Sequence, residues 1–167
     1  RTDTVVTIGP RDPSNAKDVE LAERTRSEFA DGRLEIHAPQ PWRVLGPSRN
    51  AGALDLEIEL PTGSAVDGEA WLADLHATGE LGRLDFATSM GDLTVDRTGP
   101  AKLSTNSRVT ARRIGGAAEI KSAGAVRIDE IGGPTTIKNL NGATQVGLVE
   151  GELTCRSANG DISVGTA

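Results

Sequence analysis

Gly82-Arg83-Leu84-Asp85-Phe86 (GRLDF) returns four times in altered form: GPAKL from Gly99, GAAEI from Gly116, GPTTI from Gly133 and GELTC from Gly151. The steps are 17, 17, 17 and 18 residues. Self-similarity at a short, fixed period is the mark of a stacked repeat architecture. Leu84, Ala101, Ala118, Thr135 and Leu153 share one position, and Phe86, Leu103, Ile120, Ile137 and Cys155 share another two residues on. Between them stand Asp85, Lys102, Glu119, Thr136 and Thr154. This in–out–in alternation is the pattern of a half-buried strand.

A second strand lies between successive glycines: Leu93-Thr94-Val95, Val109-Thr110-Ala111, Val126-Arg127-Ile128, Thr144-Gln145-Val146 and Ile162-Ser163-Val164. Met90-Gly91-Asp92, Asn141-Gly142 and Asn159-Gly160-Asp161 supply the corners, where Asn and Gly tolerate positive φ. Two short strands per repeat fit either a solenoid of parallel coils or an antiparallel meander. The columns favour the solenoid. Equivalent residues would stack ~4.8 Å apart into one internal ladder, and five coils would rise roughly 24 Å. The outward run Asp85–Lys102–Glu119 alternates in sign, as lateral neighbours in a ladder prefer. The expected fold is all-β, a β-solenoid with ~17-residue coils and a divergent β cap at the N-terminus.

Upstream of Gly82 the pattern degrades. Val66 and Gly68 precede Leu84 and Phe86 by 18, as Leu75 and Ala77 precede Leu93 and Val95, so a degenerate coil is expected from Ser64. Ala53–Leu60 sets Leu54, Leu56, Ile58 and Leu60 against Asp55, Glu57 and Glu59, an amphipathic strand with an acidic face. Thr4–Ile8 reads as a strand, Asp18–Arg24 as one or two helical turns, and Asp31-Gly32 as a hairpin turn between Arg26–Phe29 and Arg33–Ala38. The chain is expected to be one domain: 1–50 a divergent β cap, 51–81 first strands and a degenerate coil, 82–167 regular repeats. Capping is what the open end of a solenoid requires.

The composition suits a thin core. Only 37% of the 167 residues are hydrophobic and 2% aromatic, with no Tyr. A net charge of −6 disfavours nucleic acid and anionic membrane surfaces as partners. No apolar run is long enough to span a membrane. Cys155 is the single cysteine, so no intrachain disulfide forms. A free thiol favours a reducing cytoplasm, with a cell-envelope location as the alternative. Its place in the Phe86–Ile137 column makes Cys155 a small buried hydrophobe. Arg1 as first residue suggests a trimmed chain, and the absence of a visible secretory signal carries little weight.

Asp31-Gly32-Arg33-Leu34, Leu54 to Pro61-Thr62-Gly63-Ser64, and the corners Ser89-Met90-Gly91-Asp92 and Ala158-Asn159-Gly160-Asp161 resemble a bacterial β-strand-repeat family named for adhesins. The similarity covers most of the chain and its motifs are structural. It implies a solenoid-like fold without known enzymatic activity. It also suggests, more remotely, a regulatory partner of a membrane stress system. Asn106-Ser107-Arg108 and Ser122-Ala123-Gly124-Ala125 depart from the family's Gly-Asp corner, so no functional row of Asp residues is implied.

Catalytic signatures are scarce. His37 and His76 stand 39 residues apart with one Cys, which is not a zinc pattern. Phosphate-cradling and nucleophile-elbow motifs do not occur. Asp74 with Asp92, and Asp129 with Glu130, are the carboxylates whose positions would suit sugar hydrolysis. Solvated acidic faces are the simpler reading. No catalytic residue, metal ligand or cofactor is expected. Trp42, in a Pro-rich loop, and Trp71 are the candidate interaction residues, with Trp42 read as a plug over the solenoid end. The expected function is a non-enzymatic structural or interaction module presenting its surface to a protein or cell-surface partner, with end-to-end self-association at Ala158–Val164. The alternative is a carbohydrate-binding or carbohydrate-active β-helix protein, with a groove holding Trp71 and two close carboxylates.

Overall fold

A computed structural model describes residues 3–39 and 52–166. Its contacts divide the chain into two compact units, 1–61 and 62–167, each taken by itself below.

The second unit is a β-solenoid. One six-stranded sheet is made of β5 (Ala65–Leu72), β7 (Arg83–Met90), β9 (Ala101–Thr105), β11 (Ala118–Ser122), β13 (Thr135–Asn139) and β15 (Leu153–Ser157). The other is made of β6 (Leu75–Leu81), β8 (Leu93–Thr98), β10 (Val109–Ile114), β12 (Val126–Ile131), β14 (Thr144–Val149) and β16 (Ile162–Thr166). Every neighbouring pair is parallel, which excludes the meander. Phe86, Leu103, Ile120, Ile137 and Cys155 are register partners in succession, as the repeat predicts. The degenerate coil is real: Val66 pairs with Leu84, Gly68 with Phe86, Leu75 with Leu93 and Ala77 with Val95.

The core lies between the sheets. Leu103, Ile120 and Ile137 from one face Val109, Val126 and Ile128 from the other, all nearly inaccessible to water. The coils stack closely at the corners. A Cβ on Gly142 would collide with the Gly124 carbonyl one coil away, and Gly91 adds a φ of 143° at its own corner. Both positions therefore require glycine. Gly68 is small for another reason: the Phe86 ring occupies the space a side chain would need.

An inward polar column runs beside the apolar ones: Thr88, Thr105, Ser122, Asn139 and Ser157, four of them buried. Each side chain bonds the backbone at the end of its strand or in the turn that follows. Thr88 Oγ1 donates to the Met90 carbonyl at 3.0 Å, and Thr105 Oγ1 accepts from the Ser107 N–H at 3.0 Å. Ser122 Oγ accepts from the Gly124 N–H at 3.1 Å, Asn139 Nδ2 donates to the Gly142 carbonyl at 2.6 Å, and Ser157 Oγ accepts from the Gly160 N–H at 3.0 Å. Short polar side chains fold the chain back without stranding buried backbone groups.

The first unit is built differently. β1 (Val5–Pro10) pairs antiparallel with β4 (Leu54–Glu59), and β2 (Arg26–Ala30) forms a hairpin with β3 (Arg33–His37). Asp31 and Gly32 turn that hairpin with φ of 52° and 75°, the two positive values of a type I′ turn. The helix α1 (Ala16–Arg24) is longer than the sequence predicts. Asn15 caps it by accepting the Lys17 N–H at 3.0 Å. Leu54–Glu59, within the stretch that the sequence reads as an amphipathic strand, pairs with β1.

Asp18 is the buried centre of this unit. Its carboxylate accepts the Ala53 N–H at 2.7 Å and the Asp12 N–H at 3.0 Å, tying the segments before and after the hairpin. A buried charge is tolerable only when held by such donors.

Candidate functional site

The outward columns of the two sheets are the surfaces on which chemistry can be arranged. On the β5–β15 sheet, one column reads Asp67, Asp85, Lys102, Glu119, Thr136 and Thr154. The next outward position reads Glu69, Ala87, Ser104, Lys121, Lys138 and Arg156. This second column ends in three consecutive cations on adjacent strands, ~4.8 Å apart at the backbone. Like charges directly opposite each other in a sheet repel and destabilise it.

Lys121 is tied to Glu119 at 2.8 Å. That contact holds the Glu119 carboxyl below its ordinary range, with Lys102 and Lys138 adding to the effect. The stabilisation linked to Glu119 is present above its unfolded pKa and is lost as pH falls through the depressed one. The Lys138 and Arg156 side chains make no hydrogen bond or ion pair among the described residues. On the opposite sheet three of the four strand arginines form ion pairs among the described residues and Arg97 does not. Arg112 pairs with Asp96 at 2.8 Å, Arg113 with Glu130 at 2.8 Å and Arg127 with Asp129 at 3.4 Å.

A groove of about 480 Å³ runs across β9, β11, β13 and β15, lined by Ser104, Asn106, Lys121, Lys138, Leu140 and Arg156 among others. Leu140 is 56% exposed there. A second groove, about 440 Å³, lies on the opposite sheet, where Arg112, Arg113, Asp129 and Glu130 are already engaged.

Trp42 lies outside the described residues. Trp71 is 66% exposed at the end of β5, beside exposed Leu72 and its register partner Met90. It lines neither groove. The carboxylates considered for sugar chemistry have other partners. Asp74 Oδ1 accepts the Asp92 N–H at 2.8 Å, and Asp92 Oδ1 accepts the Arg108 N–H at 3.1 Å, each joining one corner to the next coil. Asp129 and Glu130 hold the arginines just named. Among the described residues, no three His, Cys, Asp or Glu side chains converge as metal ligands. No described helix is long and apolar enough to cross a membrane.

Cys155 is half-buried at the end of its column, and burial raises its thiol pKa above the ordinary value. At neutral pH it is a thiol rather than a thiolate.

The cation column does not stand out from the inward positions that define the repeat. It lies one residue beyond the Phe86–Cys155 column, so its signal was the next outward position of the same repeat. No protein family model, curated protein or solved structure matches this chain.

Proposed function

We propose that this chain is a non-enzymatic interaction module whose solenoid presents one sheet face to a protein or cell-surface partner. The observation that carries this reading is the Lys121–Lys138–Arg156 column, three cations on adjacent strands of which the Lys138 and Arg156 side chains form no ion pair among the described residues. Local choices that oppose stability are expected where a protein binds something. Recognition would rest on charge complementarity with a flat, rigid surface.

The test compares three immobilised full-length baits against extracts of the source cells: the wild type, Lys138→Glu and Arg127→Glu on the opposite face. The expected result is a retained component that Lys138→Glu loses and Arg127→Glu keeps. Identical capture by all three would overturn the reading.

A second contribution is end-to-end association. β16 lies at the edge of its sheet with Ile162 and Val164 exposed, 44% and 40% respectively. Among the described residues no strand pairs with its outer side, and a strand edge of this kind templates pairing with another chain. Sedimentation at rising concentration should show growing species, and a strict monomer would remove this contribution. The carbohydrate-active alternative predicts release of reducing ends from polysaccharides, an assay on which the module predicts no signal.

A further inference from the structure

We propose that the groove across β9, β11, β13 and β15 binds a linear acidic glycan lying along the solenoid axis, with Lys138 and Arg156 pairing to sugar carboxylates. The proposal rests on the module reading above and names the partner's chemistry.

Three observations converge on this occupant. The first is charge. In a chain of net charge −6, this column inverts the local sign; the Lys138 and Arg156 side chains make no hydrogen bond or ion pair among the described residues, and Lys138 acts on Glu119 only through the longer-range field. An anion is the complement they lack. The long stems of Lys and Arg reach from the sheet surface, and Arg can clasp a carboxylate with two parallel N–H bonds.

The second is spacing. The cations repeat once per coil, ~4.8 Å apart. A pyranose linked through opposite corners advances by a similar length, so each coil can meet one sugar ring of an extended chain, and the long Lys and Arg stems reach the carboxylates that the chain's screw turns to either side. Same-side side chains of an extended acidic peptide recur every ~6.7 Å and fall out of step within two coils. Duplex phosphates recur every ~3.4 Å along each strand, and the net negative charge opposes nucleic acid further.

The third is the lining. Ser104 and Asn106 supply a hydroxyl and an amide, and Thr136 and Thr154 stand on the adjacent outward column. Leu140 offers an exposed aliphatic surface at the groove wall. Hydroxyl and amide partners with one apolar contact suit a sugar ring, whose edges hydrogen-bond and whose C–H face is apolar. The groove is an open surface rather than a closed cleft, so a chain can lie along it without threading an end.

The test is a titration of the full chain with four probes: short oligogalacturonate, a neutral maltooligosaccharide of equal length, oligoglutamate and single-stranded oligo(dT). Each is measured at low and high salt, with the sugar length followed throughout. Oligogalacturonate should bind, more weakly as salt rises, and the neutral sugar should not. Lys138→Glu and Arg156→Gln should each weaken binding by about tenfold or more, with melting temperatures no lower than wild type.

Absence of oligogalacturonate binding at low salt, equal binding by the neutral sugar, or indifference to both substitutions would overturn the proposal. Equal or tighter binding of oligoglutamate or oligo(dT) would overturn it as well. The module reading survives any of these outcomes, because its own test is the face-dependent capture described above. Conversely, shortening of the oligogalacturonate during titration would overturn the non-enzymatic reading while leaving the groove's occupant in place.

Discussion

The solenoid hides Leu103, Ile120, Ile128 and Ile137 almost completely, whereas the buried side chains among the described residues of the first unit are Asp18 and Thr25, both polar. Its apolar strand face is half open: Leu56 is 41% and Ile58 38% exposed. One unit is held by stacked apolar columns and the other by a carboxylate that gathers backbone N–H groups. A repeat lets each apolar side chain meet its own kind on both neighbouring coils, and so builds a dry core from few aromatics. Without repetition, a short segment has to rely on specific polar contacts and a cap.

The largest expected effect breaks that contrast at its centre. Ile120→Asp places an unpaired charge in the middle of the internal ladder and should cost about 3–5 kcal/mol. Leu56→Asp in the first unit, already 41% exposed, should cost about 1 kcal/mol. Chemical denaturation of both variants checks the comparison. Equal losses would show that the two units are not held differently.

Asp18→Ala is the reciprocal change. It strands the Asp12 and Ala53 N–H groups, and about 2–3 kcal/mol of local stability should be lost. Hydrogen exchange should accelerate in residues 3–39 and 52–61 while the solenoid amides keep their protection. Uniform acceleration through the solenoid would contradict this.

Thr98 sharpens the picture of the columns. Its buried Oγ1 has no hydrogen-bond partner among the described residues, and it stands between Leu81 and Ile114 in an apolar column. Thr98→Val removes an unsatisfied hydroxyl and should stabilise by about 1 kcal/mol. A destabilised variant would mean that the hydroxyl is satisfied in solution.

The register of the solenoid was readable because five copies of one pattern vote on each position. Phe86 through Cys155 and Leu93 through Ile162 fall where the glycine steps place them. The hairpin at Asp31-Gly32 was readable because that dipeptide supplies both left-handed residues locally. The β1–β4 pairing was not, because its strands lie more than forty residues apart in a single copy. Nothing in Asp18's neighbours announces that it collects the Asp12 and Ala53 N–H groups. The cation column escaped for another reason. Lys121, Lys138 and Arg156 look like ordinary solvated residues until the register makes them neighbours.

The smallest stability effect is the most pointed, because it concerns the column that carries the functional reading. Lys138 stands between Lys121 and Arg156. Reversing its charge turns a repelling run into an alternating one. Thermal melting of Lys138→Glu beside the wild type, at low salt, tests this directly. The account predicts a gain of about 0.5 kcal/mol, a rise of roughly 1–2 °C that shrinks as salt is added. A melting temperature equal to or below wild type would contradict it, because the column would then impose no cost that binding is needed to explain.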